Sequence, residues 1–282
     1  MSAIIEVKQL HYTYLPGTPY ERQALKNISI AVEAGDFVGI FGPNGSGKST
    51  LARQFNGLLR PTQGQVLVCG KDTTNEKIRR SLWNKVGLVF QFPEQQIFQT
   101  TVYNEIAYGP RNLGLPEEEI RERVGQALAM VGLATQDIAN LSPFSLSGGL
   151  KRRVAIAGLL ALHPEILILD EPMAGLDPVG RRMIMEIIRQ RRENNATTLM
   201  ISHDLQEILN VADKIVILDE GVLVFFGKTS ELLDHPDILQ SYRLQLPLYL
   251  QVVYALQEKK QPVKQNIGSL EEAAAEIIKL FP

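Results

Sequence analysis

The chain has 282 residues, of which 45% are apolar and 21% charged; this is the composition of a folded globular protein and excludes a largely disordered one. The length exceeds that of one average domain, so we expect one large α/β domain with a smaller appendage. A net charge of −2 gives no general attraction to nucleic acid or to an anionic membrane, and a single cysteine, Cys69, excludes an intrachain disulfide.

The first predicted elements form an antiparallel β layer. Apolar and polar residues alternate over Ile4–Tyr14 and again over Ala24–Val32, with the turn-rich segment Pro16–Arg22 between them. Residues Met1–Ile5 lack the basic, apolar and small-residue sequence of a secretory signal. Together with the lone cysteine, this favours a protein of the reducing cytoplasm.

Short apolar runs of the kind that form buried parallel strands follow. The first, Phe37–Phe41, leads into a glycine-rich loop and a helix with one apolar face. Four further runs share this character: Val86–Phe90, Ile166–Leu169, Thr198–Ile201 and Lys214–Leu218. Because strands that alternate with helices build parallel sheets, we predict an α/β fold with a mostly parallel core sheet.

Helices dominate two parts of the chain. Between about residues 101 and 162 no strand pattern occurs, and Pro116–Met130 and Leu150–Leu162 have the clearest helical periodicity, which predicts an inserted helical subdomain. The alternation of strands and helices stops in the last fifth of the chain. We therefore place the main domain at residues 1–230 and a small C-terminal appendage at residues 231–282.

A phosphate-binding loop follows the strand Phe37–Phe41. The segment GPNGSGKS satisfies the pattern GxxxxGK[ST] between a strand and a helix, which is the context that this motif requires. Its glycines let backbone N–H groups point at phosphate oxygens, and the helix N-terminus adds a favourable dipole. We expect Lys48 to bind the β- and γ-phosphates and Ser49 to ligate Mg²⁺, the alternative being a glycine turn with a surface lysine. The residues predicted to bind nucleotide are Gly42, Asn44, Gly45, Ser46, Gly47, Lys48, Ser49 and Thr50.

Two carboxylates end the buried strand Ile166–Leu169. Asp170 and Glu171 lie at its carboxyl end, where parallel sheets bind ligands. Adjacent carboxylates at a strand end are also common as solvated caps, so the phosphate loop decides their interpretation. Beside such a loop, we expect Asp170 to hold Mg²⁺ through water and Glu171 to polarise the attacking water.

A second glycine-bearing helix start contains Ser147, Gly148 and Gly149. Backbone N–H groups at such a terminus favour anions, which gives the chain two sites of a phosphate-binding kind. Taken alone, the segment is equally consistent with an ordinary helix start. The basic run Lys151–Arg153 that follows is interpreted as a solvated helix face, and no nucleic-acid partner is expected.

The phosphate loop, LSGG, ILILDEP, AGLD and ISHD occur in the order and spacing of ABC (ATP-binding cassette) transporter ATPases, and the chain resembles that family over about Ile4–Glu231. The resemblance implies an ABC-type P-loop ATPase that binds ATP with Mg²⁺. It also implies a head-to-tail dimer with a second ABC ATPase subunit, identical or not. In that dimer the LSGG of one subunit closes over ATP held by the phosphate loop of the other.

The resemblance assigns catalytic roles to two further residues. Gln91 resembles the glutamine that follows a strand and contacts Mg²⁺ or water. His203 resembles the histidine that contacts the γ-phosphate and orients Glu171. A loop glutamine and a structural histidine are the alternatives for these two positions.

Three other positions bear on the same site. Asp177 resembles the residue that links the two nucleotide sites across the dimer. Tyr14 resembles the aromatic that stacks on adenine, with Tyr12 or Tyr20 as alternatives. The family's LSGGQ reads LSGGL here, so Leu150 removes one side-chain hydrogen bond from that interface, although nucleotide binding is expected to persist.

Looser strings resemble one branch of the family, the ATPases of energy-coupling-factor importers, which take up vitamins or metal ions such as cobalt and nickel. These strings are PGTPYERQAL, QFPEQQIF and SGGLKRRVAIAG. The resemblance implies a transmembrane coupling protein docked beside Gln91–Gln99, a substrate-binding membrane protein, and a peripheral position at the cytoplasmic face of the cell membrane. It also implies an appendage that supports dimer contacts. Because the apolar stretch Leu244–Leu256 is too short to span a bilayer, no direct membrane insertion is expected.

Three alternatives remain at this stage. The ATPase of another ABC transporter class, a conventional importer or an exporter, has the same chemistry. A soluble ABC ATPase of DNA repair or translation needs long heptad repeats or two cassettes, and the chain has neither. A P-loop GTPase or small-molecule kinase does not explain LSGG, and the guanine-reading NKxD is missing because Asn84-Lys85-Val86-Gly87 lacks the aspartate.

Overall fold

Two β-sheets and a set of helices make up the chain in the computed structural model, which describes residues 3–133, 136–235, 238, 246–264 and 267–280. The strands are β1 Ala3–Tyr14, β2 Arg22–Glu33, β3 Phe37–Phe41, β4 Gln63–Val68, β5 Lys71–Asp72, β6 Val86–Val89, β7 Ile166–Asp170, β8 Thr197–Ile201, β9 Lys214–Asp219 and β10 Val222–Lys228. The helices are α1 Lys48–Phe55, α2 Glu76–Ser81, α3 Val102–Asn112, α4 Glu117–Met130, α5 Gln136–Ala139, α6 Gly148–Leu160, α7 Pro178–Glu193, α8 Leu205–Leu209, α9 Thr229–Leu233, α10 Leu248–Glu258 and α11 Leu270–Ile278.

The sheet topology confirms the predicted α/β fold class. A four-stranded antiparallel sheet has the order β2-β1-β4-β5, and a six-stranded sheet has the order β10-β9-β3-β8-β7-β6. Every strand pair in the larger sheet is parallel except the hairpin of β9 and β10 at its edge. The strand β3 therefore lies inside the sheet, and its carboxyl end opens at the centre of the sheet edge where parallel folds bind ligands.

Both faces of the larger sheet are buried, which explains why its strands are continuous apolar runs. Along β3, Val38 and Ile40 pack with the antiparallel sheet and α1, whereas Phe37 and Phe41 pack with the helices on the other side. Successive side chains of a strand point to opposite faces, so a strand covered twice needs apolar residues at every position. The sheet is consequently a rigid base for the loops at its edge.

Two groups of helices lie outside the alternation of strands and helices: α3 to α6, and α10 with α11. Between Thr101 and Leu162 the described residues contain no strand. In the appendage, α10 and α11 pack together, and Tyr249, Leu250 and Val253 join the apolar cluster of the main domain. No helix within the described ranges is long and apolar enough to cross a bilayer.

Two expectations from the sequence need correction. The basic run is not uniformly solvated, because Arg152 is 5% exposed on the inner face of α6, one helical turn before the buried Ile156. The sequence pattern of Gln65–Cys69 predicts a core strand that contains Cys69, but β4 ends at Val68 and Cys69 begins a turn with φ 50°. Its thiol lies 3.3 Å from Glu165 Oε2, and burial raises the pKa of Cys69 to about 11, so this thiol is held protonated.

Candidate nucleotide-binding site

A pocket of about 380 Å³ opens at the carboxyl ends of β3 and β7. It brings together most of the residues that the motifs single out, although they are spread over almost 190 positions of the chain. The predicted residues that line it are Tyr14, Asn44, Gly45, Gly47, Lys48, Ser49, Thr50, Gln91, Asp170, Glu171 and His203. Gly42 and Ser46 belong to the same loop without lining the pocket.

Close packing of the phosphate loop explains its glycines. Gly42 has φ 147°, and a Cβ there would lie 2.1 Å from the carbonyl oxygen of Leu218. Gly47, the N-cap of α1, has φ 106°, and a Cβ would lie 2.7 Å from the carbonyl oxygen of Ala24. Both the backbone conformation and the contact exclude other residues, so the N–H groups at the start of α1 stay open toward the pocket.

Lys48 is the buried cation of this loop. Its ammonium donates to the carbonyl oxygens of Gly42, at 2.7 Å, and Pro43, at 2.9 Å, and the residue is only 7% exposed. Burial lowers the pKa of Lys48, whereas the carboxylates of Glu171 and Asp170 raise it. The charge is thus held at the floor of the pocket by groups that a phosphate oxygen can replace.

The residues present fit a magnesium ion. Ser49 and Gln91 line the same pocket as Asp170. Burial raises the pKa of Asp170, and the Ser49 hydroxyl and the charges of Arg53 and Lys48 lower it. A hydroxyl, a carboxylate and an amide oxygen are ligands that suit Mg²⁺, which binds through one or two carboxylates together with substrate phosphates. No group of three His, Cys, Asp or Glu side chains that would enclose a metal occurs among the described residues.

Glu171 and His203 form a hydrogen-bonded pair at the pocket wall. Glu171 Oε2 lies 2.7 Å from His203 Nδ1, and their side chains are 13% and 68% exposed. Burial raises the pKa of Glu171, and the contact with His203 lowers it. Glu171 also has φ 50°, in the left-handed region that non-glycine residues rarely adopt. Such strain is concentrated at functional sites, where the surroundings hold it in place.

The three tyrosines considered for contact with adenine differ in their position relative to the pocket. Tyr14 lies in the pocket, and its hydroxyl is 3.1 Å from Thr50 Oγ1. Tyr12 packs edge-to-face against Tyr14 with ring centroids 4.8 Å apart, and Tyr20 is 80% exposed outside the pocket lining. Of the three, Tyr14 therefore has the position from which a ring can contact a bound base, and this role stays a prediction.

The glycine-bearing start of α6 opens into a different pocket, of about 390 Å³. Ser147, the N-cap of α6, accepts a hydrogen bond from the N–H of Leu150 at 3.4 Å, and Ser147, Gly149 and Leu150 line this pocket; Gly148 is exposed beside them. Asp177 lines it too and caps α7 by accepting from the N–H of Gly180 at 2.7 Å. The structure thus places the LSGG and AGLD residues together, apart from the phosphate-loop pocket.

The motifs do not identify every residue that lines these two pockets. Arg22 and Ala24 line the phosphate-loop pocket, and Arg22 Nη2 lies 3.5 Å from the carbonyl oxygen of Gly45. The register of β1 and β2 places Arg22 opposite Tyr14, and the sequence pattern, which assigns Arg22 to a turn, does not predict this pairing. The basic run predicts a surface charge at Arg152, whereas the helical period places Arg152 on the same face as Ile156.

Comparisons with known proteins agree with this geometry. The family model described as ABC transporter matches residues 25–174. An energy-coupling factor transporter ATP-binding protein, EcfA2, from Clostridium acetobutylicum is 44% identical over 279 residues, which are 98% of each chain. The protein of the same name from Latilactobacillus sakei is 45% identical over 259 residues, 90% of this chain and 89% of that one.

Solved structures give the same family. CbiO1 from Clostridium perfringens, described as part of the ABC transporter complex CbiONQ, has a TM-score of 0.73 and 35% identity over 90% of this chain and all of that one. A dimeric ATP-binding cassette, MJ0796, in a post-hydrolysis state with ADP and phosphate, has a TM-score of 0.70 and 30% identity over 80% of this chain and 98% of that one. The chain therefore belongs to the ABC transporter family, among the energy-coupling factor transporter ATP-binding proteins.

Proposed function

We propose that this chain is the ATP-hydrolysing subunit of an energy-coupling-factor type importer of vitamins or transition-metal ions, acting at the cytoplasmic face of the membrane. One observation carries the proposal: Lys48, Asp170, Glu171 and His203 converge on one pocket, whereas the LSGG segment opens into another. In this proposal a single chain holds two half-sites, and a second subunit completes them.

The chemistry is attack of water on the γ-phosphorus of ATP. Lys48 and the loop N–H groups hold the phosphates, and Ser49, Gln91 and Asp170 would hold Mg²⁺, which neutralises phosphate charge when bound. Glu171 orients the attacking water and accepts its proton, for which an ionised carboxylate is needed. His203 fixes the orientation of that carboxylate through the 2.7 Å contact.

A second ATPase subunit completes each site. In a head-to-tail pair, Ser147 to Gly149 of one subunit cover the nucleotide held by the phosphate loop of the other, and Asp177 lies between the two nucleotides. The solved relative that is dimeric with ADP and phosphate supports a dimer of ATPase subunits. Closure on ATP and opening after hydrolysis then move any partner attached to both subunits.

A groove on the helical insert is the proposed docking site of the transmembrane coupling protein. It is lined by exposed aromatic side chains beside the segment Gln91–Gln99, including Trp83, Phe98 and Tyr108. The rings of Phe98 and Tyr108 stack edge-to-face 4.9 Å apart. Exposed aromatic clusters of this kind are typical of protein interfaces. The relative in the CbiONQ complex supports a membrane-complex setting, and we propose a separate substrate-binding membrane protein as the third component.

Each subunit consists of a main domain, residues 1–230, and an appendage, residues 231–282. The appendage is proposed to support the contact between the two ATPase subunits. Its helices α10 and α11 leave an apolar surface around a pocket of about 380 Å³, with Leu248 75% and Ile278 68% exposed. A stable monomer rarely exposes such neighbouring side chains without a partner. The helix α9 crosses the boundary between the two parts, so they are continuous in structure.

The test is affinity purification of the tagged chain from detergent-solubilised membranes of its native host, with mass spectrometry of the bound proteins. We expect a second ATPase, a coupling protein and small substrate-binding membrane proteins. The variant Phe98→Ser should lose the membrane proteins and keep basal ATPase activity. Leu58→Ser, an equally exposed apolar residue outside the groove, is the matched control and should lose nothing. Recovery of a conventional permease pair, or of soluble proteins alone, would overturn the importer assignment.

A further inference from the structure

Arg152 is a buried guanidinium that the proposed mechanism does not use. It lies on α6, the helix whose N-terminus carries LSGG, and is 5% exposed. Burial lowers the pKa of Arg152, and the nearby carboxylate of Glu94 opposes that change. A buried cation destabilises the fold unless hydrogen bonds replace its lost hydration, so its partners indicate what keeps it there.

All three hydrogen bonds of Arg152 go to the backbone of one loop. Nη1 donates to the carbonyl oxygen of Ala174 at 2.9 Å, and Nη2 donates to those of Pro172 at 2.9 Å and Glu171 at 3.4 Å. This loop leaves β7 and carries Glu171. Because the guanidinium is planar and rigid, one side chain fixes the relative positions of three peptide groups.

The loop needs such support because Glu171 has φ 50°. A non-glycine residue persists in this conformation only where neighbouring contacts impose it. The N–H of Glu171 donates to the carbonyl oxygen of Ile201 at 3.0 Å, which fixes one side of the residue. Arg152 holds the carbonyl on the other side, and together the two contacts set the direction of the Glu171 carboxylate.

A second group connects Arg152 to the segment that begins at Gln91. Arg152 Nε and Glu94 Oε2 are both buried without a hydrogen-bond partner. Glu94 belongs to the 3₁₀ turn Pro93–Gln96, and its charge favours the charged form of Arg152. The guanidinium thus lies among three functional segments: the LSGG helix, the Glu171 loop and the turn after Gln91.

We propose that Arg152 is a positioning residue for ATP hydrolysis, which ties the LSGG helix to the backbone of the Glu171 loop. Within one subunit, LSGG contacts the nucleotide of the partner while Glu171 acts on the nucleotide of its own site. Arg152 therefore connects the segment that contacts one nucleotide with the base that acts on the other. The inference rests on the proposed roles of Glu171 and LSGG.

The experiment measures steady-state ATPase kinetics, ATP binding and melting temperature of the full chain. Arg152→Gln should lower kcat at least ~10-fold with KM and ATP affinity changed less than about twofold, which is the signature of an interaction made in the transition state. Arg152→Lys keeps the charge but lacks the planar guanidinium, so its kcat should also be lower than that of the wild type. This variant replaces Arg152→Gln in the experiment if Arg152→Gln fails to fold. The control is Arg189→Gln, an arginine whose carboxylate partners are exposed on α7, and it should retain wild-type kcat.

A double variant separates positioning from general damage. In a Glu171→Gln background, Arg152→Gln should cause no further loss, because the group that it positions is already gone. Wild-type kcat in both Arg152 variants, or a further loss in the double variant, would overturn the inference while leaving the proposed function in place. Normal turnover in Glu171→Gln alone would overturn the role of Glu171 and this inference with it.

Discussion

At the scale of single residues, the ionisation of Glu171 makes hydrolysis sensitive to acid. Burial raises the pKa of Glu171, and the base must be ionised to accept a proton. Activity is therefore present above the pKa that Glu171 has in the folded protein and is lost as the pH falls through that pKa. We expect kcat to decline at a pH above the ordinary glutamate value of about 4.3, as measured in a pH profile of steady-state turnover.

The same profile tests the contact between Glu171 and His203. Because this contact lowers the pKa of Glu171, its removal in His203→Gln should move the acid limb to higher pH, besides lowering kcat. The limb should vanish in Glu171→Gln, because the residual activity of this variant no longer depends on the ionisation of residue 171. If the acid limb remains in Glu171→Gln, or moves to lower pH in His203→Gln, the limb belongs to another titrating group. Asp170 is then the first candidate.

Gly47 offers a residue-scale test of the phosphate loop. An added Cβ would lie 2.7 Å from a backbone carbonyl oxygen at φ 106°, so Gly47→Ala must displace the loop and should reduce ATP affinity at least ~10-fold. Gly114→Ala is the matched control, because Gly114 also has positive φ, at 73°, but open space around it. It should lose about 1 kcal/mol of stability and bind ATP normally in the same fluorescence titration. Equal affinities in the two variants would contradict the packing argument.

At the scale of elements, Asp177 combines a structural with a proposed functional role. It caps α7 by accepting from the N–H of Gly180 at 2.7 Å, ahead of Pro178 at the first helical position. Asp177→Ala should cost about 1 kcal/mol of unfolding free energy, because the cap is lost. Asp177→Asn keeps a capping oxygen and should retain stability, as measured by urea denaturation. If Asp177 links the two nucleotide sites, Asp177→Asn should still lower kcat, and unchanged kcat would leave capping as its whole role.

Periodicity and glycine motifs predicted the elements well, for a physical reason. A sheet covered on both faces needs continuous apolar runs, so β3 and β7 stand out in the sequence, and the helical insert stands out as a break in that alternation. The phosphate loop was predictable because its glycines are required by contact rather than by composition. Its neighbours Asp170 and Glu171 followed from the rule that ligands bind at the carboxyl ends of parallel strands.

The features of the site that the sequence did not predict depend on contacts between distant segments of the chain. The burial of Arg152 is decided by the carbonyl groups of a loop about twenty residues away, and nothing in a basic tripeptide indicates that loop. Likewise, the left-handed backbone of Glu171 arises from hydrogen bonding to β8 and α6, not from local preference. Tertiary interactions of this kind override local patterns, and functional sites are where the two disagree most.

At the scale of the whole molecule, the proposed half-sites would make association of two subunits part of catalysis. The appendage, for which we propose a role in this association, has an exposed apolar surface: Leu248, Val252, Leu270 and Ile278 are 75%, 39%, 54% and 68% exposed. Deletion of residues 241–282 should weaken dimerisation. That change alone is ambiguous, because Tyr249, Leu250 and Val253 pack into the core of the main domain and their loss also destabilises the fold.

A surface variant separates the two effects. Leu248→Glu combined with Ile278→Glu places charge on the exposed face and leaves the buried one intact, so the melting temperature should change little. If this face supports the subunit contact, the dimer dissociation constant should rise at least ~10-fold in analytical ultracentrifugation with ATP and a Glu171→Gln background. Val222→Glu adds charge at an apolar position of β10 with 46% exposure and should associate normally. Unchanged association in the double variant would mean that the phosphate-loop and LSGG contacts hold the dimer without the appendage, and the apolar face would then need another occupant.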